Sequence, residues 1–220
     1  MAPVWSIVVA GGSGRRFGRM KQFSLLGGRP VLEWAVEACR PGSAGVVLVL
    51  PATSGAGPAD PHGADAVVSG GVTRADSVRC GLAAVPAEAE VIVVHDAARP
   101  LASPALFTAV IEAVTGGGAD GAVPGVPPSD TIKAVDESGR VIDTLDRTRL
   151  VAVQTPQAFR AAVLRRAHAE AAPAGATDDA MLVEAVGGTV QVVPGEAGNL
   201  KITDPDDLGA AERTLAVRQQ

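Results

Sequence analysis

Cysteine is scarce in this 220-residue chain, which contains only Cys39 and Cys80. Two cysteines cannot build the disulfide framework that stabilises small secreted proteins, so the sequence predicts a protein of the reducing cytoplasm. A long basic stretch of the kind that binds a nucleic-acid backbone is also missing, and the formal net charge is −5. Nucleic acid is therefore not expected as a partner.

The sequence has no apolar stretch long enough to cross a membrane. Its longest run without a charged residue, Pro41–Ala59, is interrupted by Pro51, Pro58 and several glycines. Basic residues follow the apolar N-terminal run, at Arg15 and Arg16, whereas a secretory signal would place them before it. We therefore expect neither a membrane partner nor secretion.

Hydrophobic residues make up 47% of the chain and form short β-branched runs that alternate with helical patterns. This alternation is typical of an α/β fold with a mostly parallel sheet covered on both faces. At about 100–200 residues per domain, residues 1–220 correspond to a single domain. The predicted strands are Val4–Ala10, Gly45–Leu50, Val91–His95, Ala119–Val123 and Thr189–Val193, and the predicted helices are Pro30–Arg40, Thr73–Ala84, Ser103–Val114, Phe159–Ala172, Asp178–Val186 and Pro205–Val217, with Thr177 capping the helix at Asp178.

One segment interrupts the alternation of strands and helices. Thr131–Val135 and Val141–Leu145 predict two strands around Asp136-Glu137-Ser138-Gly139, which together make a β-hairpin. The hairpin has too few large apolar residues to pack against a core on both sides. It is either a hairpin lying on the surface or an arm, over residues 130–147, that reaches another subunit.

A glycine-rich loop follows the first predicted strand, with the sequence Ala10-Gly11-Gly12-Ser13-Gly14-Arg15-Arg16-Phe17-Gly18-Arg19-Met20-Lys21-Gln22. A dinucleotide fingerprint would need a third glycine at position 17, and a P-loop would need a Gly-Lys-Ser/Thr triplet, which the chain lacks. Four cationic side chains crowd the loop instead, and a polyanion such as a triphosphate would neutralise them. The alternative is a solvated basic turn.

A second candidate site lies at the end of the predicted central strand, in Val93-Val94-His95-Asp96-Ala97-Ala98-Arg99-Pro100. Open α/β sheets bind ligands at the carboxyl ends of their strands, so Asp96 is placed to hold Mg²⁺ or a ribose hydroxyl. A turn-capping aspartate paired with Arg99 explains the same residues equally well.

Lysine occurs only as Lys21, Lys133 and Lys201, although arginine supplies the other basic residues. Each lysine falls in a polar motif, which indicates either a need for a compact point charge or chance. The histidines are not spaced as metal ligands. We expect His168 on a solvated helix face and a structural role for His95.

Five motifs, in this order along the chain, resemble the 2-C-methyl-D-erythritol 4-phosphate cytidylyltransferase family of the non-mevalonate isoprenoid pathway. They are Arg74-Ala75-Asp76-Ser77-Val78, Val94-His95-Asp96-Ala97-Ala98-Arg99-Pro100, Asp130-Thr131-Ile132-Lys133, Thr155-Pro156-Gln157 and Asn199-Leu200-Lys201-Ile202-Thr203. The resemblance implies a Rossmann-like nucleotidyltransferase domain with a protruding β-hairpin arm. It also implies transfer of CMP from CTP to 2-C-methyl-D-erythritol 4-phosphate, by in-line attack at the α-phosphate, with release of pyrophosphate.

The resemblance further implies roles for individual residues. Arg16 and Lys21 would stabilise charge on the α-phosphate, and Mg²⁺ would bridge the phosphates beside Asp96. Thr131, Arg147 and Lys201 would hold the phosphate of the acceptor, and Arg147 and Lys201 are counted with Arg16 and Lys21 as catalytic. The residues expected to bind substrate are Ala10, Gly11, Gly12, Gly71, Ser77, Asp96, Arg99, Thr131, Thr155 and Thr177.

The same resemblance implies a function for the hairpin. In the family, the residues that correspond to Thr131 and Arg147 lie on an arm that crosses to the other subunit of a homodimer. This agrees with the second interpretation of the hairpin. A dimer in which each arm completes the partner's site is therefore expected.

Two other functions are compatible with parts of the pattern. A cytidylyltransferase for another polyol phosphate, such as ribitol 5-phosphate, would share the CTP site and differ in its contacts to the acceptor. A nucleotide-binding module or a dinucleotide oxidoreductase would share the sheet. The missing third glycine and the cationic loop favour a triphosphate over a dinucleotide.

Overall fold

The computed structural model describes residues 2–11, 17, 20–52, 61–170 and 176–218. Within these ranges, strands and helices alternate along most of the chain. The strands are β1 (Val4–Val9), β2 (Leu25–Leu26), β3 (Arg29–Pro30), β4 (Gly45–Leu50), β5 (Ala66–Ser69), β6 (Val91–Asp96), β7 (Gly121–Val126), β8 (Lys133–Val135), β9 (Val141–Thr144), β10 (Ala152–Val153), β11 (Gln157–Arg160) and β12 (Val190–Pro194). The helices are α1 (Val31–Cys39), α2 (Arg74–Ala84), α3 (Pro104–Thr115), α4 (Ala161–Ala169), α5 (Asp179–Ala185) and α6 (Pro205–Arg218).

Eight of the strands form the central sheet, in the order β10-β7-β11-β6-β1-β4-β5, with β12 also paired to β7. The strands β6, β1, β4 and β5 run parallel to one another, and β12 runs parallel to β7. Strand β11 is antiparallel to both β6 and β7, and β10 is antiparallel to β7. The predicted α/β class and mostly parallel sheet are confirmed.

Alternate residues of the central strands enter two different cores, as the two-residue period of a strand requires. On one face, Val8 of β1 and Val93 of β6 belong to a cluster with α1 and α3. On the other face, Ile7 and Ile92 pack with α2, α4 and α5. Both faces of the sheet are therefore covered, which explains why these strands are apolar at nearly every position.

Side-chain caps begin three of the helices and fix their first residues. Thr73 and Asp76 form a reciprocal capping box at α2, and the Ser103 hydroxyl accepts a hydrogen bond from the Leu106 amide at α3. Helix α5 is capped by Asp178, whose carboxylate accepts from the Met181 amide at 3.0 Å. The prediction that Thr177 caps this helix is wrong.

Three further features differ from the sequence-based expectations. The structure adds β5, β10 and β11 to the sheet, and the helix expected from Phe159 begins at Ala161 because residues 157–160 pair as β11. His168 is buried rather than solvated.

The predicted hairpin is present as β8 and β9, which pair in a two-stranded sheet separate from the central one. Its turn contains Gly139 with φ of 81°, a backbone conformation that glycine adopts without a steric penalty. The Asp136 carboxylate orders the turn by accepting from the Ser138 and Arg140 amides at 2.9 and 3.0 Å.

Among the helices in the described ranges, none combines the length and the apolar character needed to span a membrane.

Candidate active site

A cavity of about 380 Å³ opens at the carboxyl ends of β1 and β6. Open α/β sheets bind ligands at this edge, because the loops that follow parallel strands meet there. The lining residues include six that the sequence analysis proposed, namely Ala10, Gly11, Lys21, Ser77, Asp96 and Lys201. Three of the five motifs, which are far apart in the sequence, thus converge on one cavity.

Two glycine loops form one wall of this cavity and meet at Ser77 of α2. The Ser77 hydroxyl donates to the Thr73 carbonyl at 3.0 Å and accepts from the Gly71 amide at 3.2 Å. A Cβ atom on Gly11 would lie 2.9 Å from the Ser77 hydroxyl, and one on Gly71 would overlap Asp76. Both glycines are needed because any side chain would push the loops away from α2.

The loop after β1 is also held by a residue that the sequence analysis did not select. The Gln22 side chain is buried, and its amide nitrogen donates to the Ala10 carbonyl at 2.9 Å. This contact fixes the carbonyl of a residue that lines the cavity. Gln22 directly follows Lys21, so the same short segment positions the loop and supplies a cation.

Asp96, at the end of β6, is the central charge of the cavity. One carboxylate oxygen accepts from the Lys201 ammonium at 2.7 Å, and the other lies 3.3 Å from both Nε and Nη2 of Arg74. Burial would raise the pKa of Asp96, but the positive charges of Arg74 and Lys201 outweigh it and lower the pKa below its ordinary value. The carboxylate is therefore ionised at neutral pH.

Two of the three lysines selected from the sequence, Lys21 and Lys201, lie close together at the cavity. The Lys21 ammonium donates to the Ile202 carbonyl at 2.6 Å, next to Lys201. The Lys201 side chain is 47% exposed, so its ammonium remains accessible to a ligand. Lys133 lies elsewhere, on β8, where it donates to the Thr144 hydroxyl at 2.6 Å.

A buried hydrogen-bonded chain supports Asp96 from behind. The Asp96 amide donates to the Thr155 hydroxyl at 3.0 Å, and this hydroxyl lies 3.1 Å from Nδ1 of His95. Nε2 of His95 lies 3.0 Å from the Arg99 carbonyl, which can only accept, so Nε2 carries the hydrogen. The Thr155 hydroxyl therefore donates to Nδ1.

Burial determines the charge of His95 in this chain. The ring is fully buried, and desolvation lowers its pKa to about 4. His95 is therefore neutral at physiological pH, in the tautomer that its two partners require. The expected structural role of His95 agrees with these contacts.

Arg99 does not pair with the Asp96 carboxylate as the alternative interpretation expected. Its guanidinium donates to the Asn199 carbonyl at 2.7 Å, and the Asn199 amide donates to the Thr155 carbonyl at 2.9 Å. These contacts join the loop after β6 to the loop that carries Lys201. Arg99 and Thr155 thus support the cavity walls.

The other proposed site residues are not brought to the cavity within the described ranges. Thr131 and Arg147 are exposed on the arm, where the Arg147 guanidinium donates to the Ser129 carbonyl. Thr177 is exposed before α5. Gly12 and Arg16, together with the other loop cations Arg15 and Arg19, lie outside the described residues.

The comparison with known families connects this geometry with a chemistry. The sequence model of the 2-C-methyl-D-erythritol 4-phosphate cytidylyltransferase family matches residues 4–217. The chain belongs to this family. Membership confirms the resemblance that the five motifs indicated, and three of those motifs supply Ser77, Asp96 and Lys201 to the cavity.

Named relatives agree with the family match. The bifunctional enzyme IspD/IspF of Anaeromyxobacter dehalogenans is 47% identical over 223 residues, which cover 96% of this chain and 57% of that protein. The chain spans about half of such bifunctional relatives, between 54% and 57% of their length. The 2-C-methyl-D-erythritol 4-phosphate cytidylyltransferase of Rubrobacter xylanophilus is 43% identical over 231 residues, covering 100% of this chain and 98% of that protein.

A solved structure confirms the fold of the family. The crystal structure of 2-C-methyl-D-erythritol 4-phosphate cytidylyltransferase from Thermus thermophilus superposes with a TM-score of 0.78 at 42% identity. The superposition covers 94% of this chain and 97% of that one. The expected Rossmann-like nucleotidyltransferase fold is therefore confirmed.

Arg74 is the main cavity residue whose role the sequence analysis missed. It opens the motif Arg74-Ala75-Asp76-Ser77-Val78 and is the first residue of α2, so its position in the sequence was a usable signal. Its partner Asp179 gave a weaker signal, because it lies 105 residues away in a helix of only seven residues.

Proposed function

We propose that this chain transfers CMP from CTP to 2-C-methyl-D-erythritol 4-phosphate, producing 4-diphosphocytidyl-2-C-methyl-D-erythritol and pyrophosphate. The cavity at the ends of β1 and β6 carries this proposal, because Lys21, Asp96 and Lys201 converge there. Relatives that match over nearly their whole length are named for this activity. We also propose a cytoplasmic location, which the free thiols of Cys39 and Cys80 support.

The cations of the cavity suit a phosphoryl-transfer reaction, in which a protein mainly positions groups and stabilises charge. Lys21 is assigned to the α-phosphate of CTP, where negative charge increases in the transition state. Arg16 is assigned the same role from its place in the family motif. Lys201 is assigned to the phosphate of the acceptor, which its exposed ammonium can reach.

The glycine loops are assigned to the nucleoside. Gly11 and Gly71 leave main-chain groups uncovered beside Ser77, and backbone amides and carbonyls there can recognise the edge of cytosine and the ribose. Ala10 and Gly12 are assigned to the same group of contacts. Val72 is fully exposed at the cavity edge, so it offers an apolar surface rather than a polar contact to the base.

The cavity also fits a magnesium ion. Asp96 supplies an ionised oxygen ligand, which is the donor type that Mg²⁺ prefers. In the part of the chain that the structure describes, no three potential metal-ligating side chains come together, and a Mg²⁺ ion held by one carboxylate and substrate phosphates needs no such cluster. Asp96 would hold the ion, which would neutralise phosphate charge when bound.

The arm is assigned to a homodimer interface. Val135, Val141 and Ile142 on its two strands are 55%, 53% and 65% exposed, and an isolated hairpin is only marginally stable in water. A two-fold dimer would cover both arms with the same surface. Each cavity would then receive Thr131 and Arg147 from the other subunit.

The reaction is tested by incubating the purified protein with CTP, Mg²⁺ and one acceptor, and by measuring pyrophosphate release. We expect turnover with 2-C-methyl-D-erythritol 4-phosphate and at least ten times less with ribitol 5-phosphate. Excess EDTA should abolish the activity. Faster turnover with ribitol 5-phosphate would establish the alternative acceptor, and no turnover with either would refute the transferase assignment.

The crossed arms are tested by mixing two inactive variants. Co-expressed Lys21→Ala and Arg147→Ala subunits form heterodimers in which one site carries both defects and the other carries neither. The intact site should restore up to about half of the wild-type activity per heterodimer, by two-fold symmetry. If the arm stays on its own subunit, every site keeps one defect and no activity returns.

A further inference from the structure

A row of alternating charges runs from the cavity into the core behind it. It comprises Lys201, Asp96, Arg74 and Asp179, and His168 is hydrogen-bonded to its inner end. The five residues come from separate parts of the fold. Arg74 donates from Nη1 to the Asp179 carboxylate at 2.7 Å, while its Nε and Nη2 atoms face Asp96 at 3.3 Å. Nε2 of His168 donates to the other oxygen of Asp179 at 2.9 Å. The proposed reaction uses Asp96 and Lys201 but gives no role to Asp179 or His168.

Asp179 is held rigidly at the inner end of this row. Its side chain is fully buried, and His168 is 5% exposed. Burial would raise the pKa of Asp179, but the hydrogen bond from His168 and the charge of Arg74 outweigh it and lower the pKa. The preceding residue, Asp178, caps α5 and accepts from the Gln157 side chain at 3.0 Å, which fixes where the helix begins.

The helices that carry Arg74 and His168 are also joined through Arg165, in the middle of α4. Arg165 of α4 donates to the carbonyls of Leu82, Val85 and Pro86 at 2.9, 3.0 and 3.1 Å. Arg74 begins α2, and these carbonyls lie in its last turn and in the two residues after it, so α2 is attached to α4 at one end and to Asp179 at the other. Asp179 therefore occupies a fixed position relative to Arg74.

A guanidinium group is planar, so holding one of its nitrogens restricts the orientation of the others. With Nη1 bound to Asp179, the edge formed by Nε and Nη2 is directed at a single oxygen of Asp96. Without Asp179, the guanidinium could rotate about its side chain and pair with both Asp96 oxygens. The second of these oxygens is the one that Lys201 occupies.

We propose that Asp179 is a positioning residue for the transfer reaction, with His168 as its support: Asp179 orients Arg74, and Arg74 in turn keeps one oxygen of Asp96 directed towards Lys201 and the substrates. This inference rests on the proposed function. Asp179 does not line the cavity and acts through Arg74.

The first test is Asp179→Asn, which keeps the shape of the side chain and removes its charge. We expect kcat to fall between about ten- and a hundredfold, because small errors in the placement of reacting groups are costly, while KM for CTP changes less than threefold. Glu184→Gln is the matched control, since it removes an exposed carboxylate from the same helix. It should leave both constants within twofold of wild type.

A double-mutant cycle tests whether Asp179 acts through Arg74. Arg74→Lys keeps a positive charge but loses the planar fork, so it should lower kcat by itself. Adding Asp179→Asn to Arg74→Lys should then lower kcat by less than twofold. Multiplicative losses would show that Asp179 acts independently of Arg74 and would overturn the inference.

His168 supplies a second pair of variants if Asp179→Asn fails to fold. His168→Leu removes the donor to Asp179, whereas His168→Gln can place an amide nitrogen near the position of Nε2. We expect kcat to fall three- to tenfold in His168→Leu and to return to within twofold of wild type in His168→Gln. Equal kcat values for wild type and His168→Leu would overturn the supporting role.

A measurement that does not depend on enzyme turnover distinguishes this inference from the proposed function. In nitrogen-resolved NMR spectra, the Nη protons of Arg74 should give separate, slowly exchanging signals in the wild-type protein and averaged signals in His168→Leu or Asp179→Asn. Averaged signals in the wild type would refute the positioning of Arg74 even in an active enzyme. Separate signals in a wild-type protein that makes no product would leave the positioning intact and refute only the transferase assignment.

Discussion

Two regions of this molecule are stabilised in different ways. Around Asp96, side chains from several loops and helices of the same chain bind one another and form the described walls of the cavity. The arm, over residues 130–147, pairs β8 with β9 and leaves apolar side chains such as Ile142 in solvent. Contacts within one chain thus order the described part of the cavity, whereas the arm keeps an exposed apolar surface that the proposed dimer would cover.

The largest effect that separates these regions is expected from lysine substitutions. Lys21→Ala removes a cation from the cavity wall, and the loss of one stabiliser of transition-state charge costs ~3–4 kcal/mol, or about 10²–10³ in rate. Lys133→Ala removes the same kind of side chain from the arm and should leave turnover within about twofold. Pyrophosphate release measures both, with circular dichroism as the test of folding. Similar turnover in the two variants would remove the distinction between the regions.

A second, smaller effect concerns the buried region and pH. His95 has a pKa lowered to about 4 in the folded state, so the unfolded chain binds a proton at His95 as pH falls below about 6.5, while the folded chain does not. Stability is therefore lost as pH decreases, by about 2 kcal/mol from His95 alone between pH 7.5 and 5.0. Asp96 and Asp179, whose pKa values are also lowered, add losses at more acidic pH.

Denaturant unfolding at the two pH values checks this expectation in wild type and His95→Gln. The variant lacks the titrating ring, so its free energy of unfolding should fall less between pH 7.5 and 5.0. Parallel pH dependence in the two proteins would show that His95 is not held neutral in the fold.

A third effect is expected from a substitution in the arm, and it should change only the KM for the acceptor. Arg147→Lys keeps the charge but loses the paired donors that suit a phosphate group. We expect KM for 2-C-methyl-D-erythritol 4-phosphate to rise about tenfold, or ~1.4 kcal/mol, with KM for CTP nearly unchanged. Initial-rate kinetics with each substrate varied in turn measure the two constants. An equal rise in both would place Arg147 at the nucleotide instead.

The smallest effect is expected at the tip of the arm. Glu137 is exposed in the turn between β8 and β9, and substitutions of such residues change stability by less than ~0.5 kcal/mol. Glu137→Ala should therefore leave the unfolding midpoint, the oligomeric state and turnover close to wild type. A dimer that dissociates in this variant would extend the interface to the tip of the arm.

The sequence predicted best what depends on continuous local patterns. Strands β4 and β6 have unbroken apolar runs because both of their faces are covered, and their limits differ from prediction by one residue at most. Strand β11 was missed because residues 157–160 become a strand by pairing with the edges of β6 and β7, and their own sequence pattern does not indicate a strand. A helical signal in the local sequence cannot report such distant main-chain partners.

In the candidate site, too, residues within continuous motifs were predicted well and residues with distant partners were not. Motif residues such as Ser77 and Asp96 were identified, and the structure places them at one cavity. His168 was expected on a solvated face because Arg165 and Arg166 precede it. Arg165 instead turns inward to bind carbonyls at the C-terminal end of α2, and His168, one turn later, lies on the same inner side. Charged residues are a poor guide to a helix face when their charge has buried carbonyl partners.

The hydroxyl of Thr155 has a consequence for what happens at the end of β6 when His95 takes up a proton. Its single hydrogen is directed to His95, and one of its lone pairs receives the Asp96 amide. A proton on Nδ1 of His95 would be donated to the second lone pair, and the hydroxyl hydrogen would lose its acceptor. The hydroxyl therefore links the backbone of Asp96 to the neutral form of His95 alone.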